Sequence, residues 1–365
     1  MIIVRSIFYC LGLIALLEFM LIRVASAFAI SSLLTNLAYN KPFFLTYLSC
    51  ATHSFYLAFY AVRSQWEKYR ISSHPRTLTH LKGNSSQNYG SIERTQGDGR
   101  VQDPGALASS QNNLLSGKQI VKPSLPFCIL WFLGCWCFTA SFAYIPVTSA
   151  TVLISTSGSF TLLIGVIFGT EKFTLIKCLV LLGNLGGAVC VLLSDLSNRS
   201  LSTFDIIIIL RGVILALISA TLYSVYSILL KEKMRNKSWR DMNIFFGFIG
   251  LFNLVLLWPI FFLFHYTGVE TFELPSTWLI WIILVVNALV GVFISNHLYF
   301  LAIRMTSALV VTVTDPFGIA LILAADIFVK RLQVDELYLI GVALVFFSLM
   351  SAKGIKVIDS KKKNK

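Results

Sequence analysis

Asp315 stands immediately before Pro316 inside a long apolar run, and Thr312 lies about one helical turn earlier on the same face. An ionisable side chain at membrane depth is costly and normally faces a cavity or a partner. Pro316 removes a backbone donor, and the carbonyls it loosens could serve a ligand. A carboxylate titrating there could couple solute movement to protons. The alternative is a buried acid held by neighbouring hydroxyls, with a purely structural role. A second group of residues could bind rather than react. His53, Tyr56 and Tyr60 recur at i, i+3 and i+7, and Tyr223 and Tyr226 repeat the i, i+3 step in a later run. Aromatic faces with hydroxyl tips suit a planar or cationic solute, although tyrosines near span ends also form interface belts. Asn296 and His297 complete the candidate set.

The elements that must position these residues are about ten apolar stretches, each roughly long enough to cross a hydrocarbon core as a helix. They cover residues 6–30, 42–62, 124–144, 148–168, 174–193, 206–229, 242–264, 277–301, 306–328 and 335–352. Hydrophobic residues make up 56% of the chain and charged residues 13%, with a mean hydropathy of +0.76. That balance excludes most soluble enzymes. The runs are too continuous for the alternation of a membrane barrel. The expected fold is therefore an all-α integral membrane bundle.

Basic residues cluster in 63–123 (Arg63, Lys68, Arg70 and others), in 230–241 (Lys231, Lys233, Arg235, Lys237, Arg240) and in the tail after Lys353. The loop 265–276 carries Glu270 and Glu273 instead. The positive-inside rule then puts both termini in the cytosol. The net charge of +13 reads as topology and attraction to anionic membrane lipid, not as nucleic-acid binding. Residues 72–120 are rich in Ser, Asn, Gln and Gly and poor in aliphatic side chains, which predicts a disordered cytosolic insertion. The organisation expected is two helices over 1–71, the insertion 72–120, three helices over 121–200, a second five-helix set over 201–356 and a basic tail over 357–365. The ending Lys362-Lys363-Asn364-Lys365 resembles a dilysine retrieval signal for the endoplasmic reticulum, and an ordinary basic tail reads the same way.

Two segments echo each other. Around Ser141 the chain reads S-F-A-Y-I-P-V-T-S-A-T-V-L, and around Tyr299 it reads Y-F-L-A-I-R-M-T-S-A-L-V-V. In both, a span ends, a short turn follows, and Thr-Ser-Ala opens the next span (Thr148–Ala150 and Thr306–Ala308). Halves of five spans must enter the membrane from opposite sides, giving two inverted five-helix repeats, the architecture of many secondary transporters. Gly183 and Gly187 form a GxxxG that points to helix pairing or a homodimer. The hydroxyls Thr151, Ser155, Thr156, Ser157 and Ser159 read as packing residues.

The stretches Y-N-K-P-F-F-L-T-Y (39–47), T-S-A-T-V-L-I-S-T-S-G-S-F-T-L (148–162), L-Y-S-V-Y-S-I-L-L-K (222–231) and I-F-F-G-F-I-G-L-F-N-L-V-L-L-W-P (244–259) resemble the drug/metabolite transporter superfamily, in particular the F branch of solute carrier family 35 and its fungal vacuolar-membrane relatives. The resemblance implies ten helices, alternating access through a central cavity, and fifth and tenth helices outside that cavity. It also implies an acidic residue where this chain has Asn296, and an apolar one where it has Asp315.

The function expected is secondary transport of a small polar organic solute in an internal membrane, whether vacuole, Golgi or endoplasmic reticulum. A nucleotide-sugar or nucleotide antiporter would need cavity cations, for which Arg23 and Arg211 are the candidates. A non-transporting receptor or scaffold is the reading from another class. There is no His/Asp catalytic pair at membrane-enzyme spacing, no Cys/His metal spacing and no Gly-rich phosphate loop, so no enzyme activity, metal or cofactor is expected.

Overall fold

A computed structural model of the chain describes residues 2–73, 117–167, 174–197, 203–234, 239–306, 314–331 and 334–363. Among these residues all regular structure is helical, which is how a chain surrounded by hydrocarbon satisfies its own N–H and C=O groups. The elements are α1 (Ile2–Thr35), α2 (Pro42–Ala51), a 3₁₀ turn (Thr52–Ser54), α3 (Phe55–Ser73), α4 (Gly117–Ser141), α5 (Val147–Ser155), α6 (Ser157–Ile167), α7 (Leu175–Ser197) and α8 (Thr203–Met234). They continue with α9 (Trp239–Leu256), α10 (Ile260–Thr267), α11 (Trp278–Val286), a π segment (Asn287–Ile294), α12 (Ser295–Met305), α13 (Thr314–Lys330) and α14 (Glu336–Lys363).

Among the described residues, six helical stretches are long and apolar enough to cross a membrane, or seven if α9 and α10 form one bent span. Apolar helices at Pro316–Val329 and Glu336–Ala352 are shorter. Several runs that read as continuous are broken, each for a local reason. The α9–α10 pair bends by 48° at Pro259, whose ring cannot donate to the ladder. Between α5 and α6, Ser155 Oγ donates to Val152 O and Thr156 Oγ1 to Leu153 O, each at 2.6 Å. Hydroxyls bonded back onto the preceding turn bend helices. Helix α4 starts at Gly117, inside the stretch expected to be insertion, and residues 74–116 lie outside the described residues.

The main apolar core joins Leu33, Val147, Val152, Ile209, Leu284, Ile319, Tyr338 and Val345, drawn from α1, α5, α8, α11, α13 and α14. Outer faces carry bare apolar side chains such as Leu179, Leu182, Ile340 and Phe347, a surface suited to lipid rather than water.

Helices α7 and α14 meet most closely. A Cβ placed on Gly187 would lie 2.5 Å from Gly341 O and 3.0 Å from Val345 N. A Cβ on Gly341 would lie 2.8 Å from Gly187 O and 2.9 Å from Val191 N. The contact is reciprocal: Gly and Val four residues apart on one helix meet the same pair on the other. The GxxxG is thus used inside one chain. Replacing Gly341 by Val should force the helices apart and cost about 1–3 kcal/mol. Thermal unfolding in detergent would read this, and an unchanged midpoint would mean that the close crossing does not form.

Candidate solute-binding site

The site is built around His53. Its 3₁₀ turn joins α2 to α3 beside α9, where Gly250 supplies the room. A Cβ on Gly250 would come within 2.5 Å of His53 C and 2.8 Å of His53 Cβ. His53 Nδ1 lies 3.1 Å from Cys50 O, a carbonyl that can only accept, so Nδ1 carries the proton. His53 Nε2 is left to accept from Asn296 Nδ2–H at 3.2 Å. The amide and imidazole therefore join α12 to the turn between α2 and α3.

Rings extend from this pair in two directions. Toward α12, the His53 and Tyr56 ring centroids are 6.1 Å apart, Tyr56 lies 4.9 Å from Phe293, and its hydroxyl donates to Phe293 O at a long 3.5 Å. Phe293 belongs to the π segment, whose wider turns change which carbonyls the helix itself uses. Toward α8, His53 lies 6.2 Å from Trp131, which in turn lies 5.0 Å from Tyr226 and 6.2 Å from Tyr223. Deeper along the bundle, Ser26 Oγ donates to Asn287 Oδ1 at 2.5 Å, and Asn287 Nδ2 donates to Ser49 Oγ at 3.4 Å. These residues form a polar and aromatic column through a mainly apolar bundle.

Of the residues singled out from sequence, Tyr56, Tyr223, Tyr226 and Asn296 come together here. Tyr60 is half-buried one turn further along α3, and His297 is exposed on α12. Asp315 and Pro316 stand in the first turn of α13 as described. The Asp315 side chain and all of Thr312 lie outside the described residues. The acid that α13 does show buried is Asp326, about three turns on. Its Oδ2 accepts from Thr148 N at 2.8 Å and from Thr148 Oγ1 at 2.5 Å, capping the start of α5 at the Thr-Ser-Ala echo. Next to it, Ser149 Oγ and Tyr338 Oη lie 3.0 Å apart, and Asp335 accepts from Tyr338 N at 3.1 Å and from Ser194 Oγ. Asp326 was readable as the other charge in the 306–328 run. Trp131 had only its position in mid-run, away from either interface, to mark it. Among the described residues no three His, Cys, Asp or Glu side chains gather as metal ligands.

One end of the bundle is tied by a charged cluster. Glu270, in the loop after α10, accepts from Phe43 N at 2.8 Å and Phe44 N at 3.1 Å, so a carboxylate caps the positive end of α2. Lys41 donates to Thr271 O at 2.5 Å and lies 3.4 Å from Glu273, while Tyr39 Oη donates to Glu273 O at 2.9 Å. Burial raises the Glu270 carboxyl above the usual range, with the two N–H donors and Lys41 pulling it partly back. Burial, Glu270 and Glu273 push the Tyr39 phenol up. For Glu270 the folded state holds its proton more tightly than the unfolded chain. Its contribution to stability is therefore present at low pH and lost as the pH rises through the folded pKa. Thermal stability should rise as the pH is lowered from 7 toward about 4.3, the ordinary glutamate value. This part of the slope should vanish in Glu270→Gln, and an unaltered slope would place the titrating group elsewhere.

No family model matches the chain. Among known proteins it is 34% identical to an uncharacterized transporter of Schizosaccharomyces pombe, over 93% of this chain and 94% of that one. It is also 34% identical to an uncharacterized vacuolar membrane protein of Saccharomyces cerevisiae, over 93% and 89%. Solute carrier family 35 member F5 of Bos taurus is 37% identical over 65% of this chain and 45% of its own length. Near-complete alignment with the fungal proteins, the F5 match and the apolar helical bundle agree: the chain is a membrane transporter belonging to the F-like family of solute carrier 35.

Proposed function

We propose that the protein is a secondary transporter that moves a small polar organic solute across an internal membrane by alternating access. The observation that carries this reading is the column around His53 and Asn296, which gathers polar and aromatic groups from α1, α2, α3, α4, α8 and α12 in the interior of the bundle. The Glu270–Lys41 cluster ties the far end of the bundle, beside the starts of α2 and α11. The Trp131–Tyr226 end of the column lies toward the opposite ends of α3 and α8. A passage closed at one end with a ligand surface nearer the other is what one state of an alternating-access carrier requires.

We also propose ten spans in two inverted five-helix repeats. The first repeat covers residues 1–200, interrupted by 72–120, and the second covers 201–356. Support comes from the reciprocal Gly187–Gly341 crossing and from the repeated Thr-Ser-Ala turns. In this assignment α7 and α14 are the fifth and tenth spans, packed on each other outside the column. Placement in an internal membrane draws on the vacuolar relative. The nucleotide-sugar reading loses support because Arg23 and Arg211 are both exposed on their helices.

Purified protein should be tested in proteoliposomes for counterflow of labelled nucleosides, vitamins, amino acids and nucleotide sugars, alongside thermal stabilisation by each. At least one solute should both stabilise the protein and be exchanged, and Asn296→Ala should weaken both by about tenfold, the value of one buried hydrogen bond. Folded protein that binds partners yet exchanges none of the solutes would favour the receptor or scaffold reading.

A further inference from the structure

Tyr226 is 3% exposed, and its hydroxyl has no hydrogen-bond partner among the described residues. Its electrostatic neighbours are Tyr223 and Cys135, and its ring packs on Trp131 at 5.0 Å and Phe127 at 5.6 Å. A buried hydroxyl without a partner is costly, and native structures keep few of them without a use. Here the unpaired group sits at the aromatic end of the column. Trp131 is only partly buried and Tyr223 is 44% exposed, so the Tyr223 side of the cluster is the one that the protein leaves uncovered among the described residues.

The chemistry of this cluster is specific. Indole and phenol faces attract flat rings, above all electron-poor or positively charged ones. Tyr226 Oη and the Asn296 amide offer hydrogen bonds that a ring nitrogen or its substituents can meet. The side chains forming the cluster are Trp131, Tyr223, Tyr226, Phe127, His53 and Asn296, and none of them is a permanent cation. A phosphate entering it would lose its water with no countercharge, which is heavily penalised.

We propose that the solute is a planar nitrogen heterocycle, neutral or singly positive and free of phosphate, that stacks on Trp131 and bonds to the Tyr226 hydroxyl. This rests on the transporter reading of the same site and narrows its substrate class. The ring reaches the cluster past Tyr223, and its nitrogen or substituent supplies the partner that the Tyr226 hydroxyl lacks among the described residues.

The test uses full-length protein in detergent with nicotinamide, 1-methylnicotinamide, adenine and adenosine. Nicotinamide mononucleotide and AMP serve as phosphate-bearing counterparts, and glucose as a non-aromatic control. Binding is read by tryptophan fluorescence and by thermal shift. At least one heterocycle should bind, its phosphorylated counterpart should bind at least tenfold more weakly, and glucose should not bind. Tyr226→Phe should lower affinity about tenfold while leaving the midpoint of the empty protein unchanged or higher, because it deletes an unpaired group. Trp131→Leu should abolish the fluorescence response.

Equal or tighter binding of the monophosphates would overturn the proposal. So would a fall in the empty-state midpoint of Tyr226→Phe, which would show the hydroxyl bonded within the protein. If no heterocycle binds while another solute is exchanged in proteoliposomes, the substrate class is wrong and the transporter reading stands. If nothing binds and nothing is exchanged, both fail.

Discussion

Inside an apolar bundle a polar side chain has no water to fall back on, so its partner must come from its own turn or from a neighbouring helix. Much of what is distinctive in this structure follows from that requirement. Ser26, Asn287 and Ser49 satisfy one another across α1, the π segment and α2. His53 spends one nitrogen on its own turn and the other on Asn296. Such bonds need helix axes close enough for short side chains to reach, and glycines at the crossings provide this: Gly250 beside His53, and Gly291 beside Ser26. The hydrogen bonds and the glycines are two halves of one arrangement.

The same requirement explains where charges are found. Asp326, fully buried, is placed on the first turn of α5, and Glu270 on the first turn of α2. Both carboxylates meet backbone N–H groups that a helix start leaves unused and that carry partial positive charge. Each bond also crosses between segments remote in sequence, so the caps hold tertiary structure as well as helix ends.

Much of the architecture was legible in the sequence because long apolar runs have few alternatives in hydrocarbon. The aromatic stripe at Tyr56, the pair at Tyr223 and Tyr226, and Asn296 were legible because polar tips in such runs stand out. What could not be read depends on geometry between runs. Trp131 is an ordinary apolar residue until His53 and Tyr226 flank it. Glu270 registered only as loop charge, since its partners at Phe43 and Phe44 are backbone groups with no side-chain signature. The break at Thr156 turns on hydroxyl rotamers, and the π segment on packing against α1 and α2. His297 was grouped with Asn296 by adjacency, yet consecutive helical residues differ by about 100° in direction, and His297 is exposed where Asn296 is partly buried.

The π segment at Asn287–Ile294 has a consequence for angular phase. Each residue in a π turn advances less around the axis than in an α turn, so the segment lets the chain behind it lag, in the usual case by about one residue's rotation. Winding it into α-helix without removing a residue would turn Ser295 toward His53 and swing Asn296 aside. The amide–imidazole contact could then be made or broken by rewinding one stretch of a single helix, with the rest of the bundle at rest. Removing one residue from the segment would instead straighten the helix and keep Asn296 in phase, freezing the contact in place.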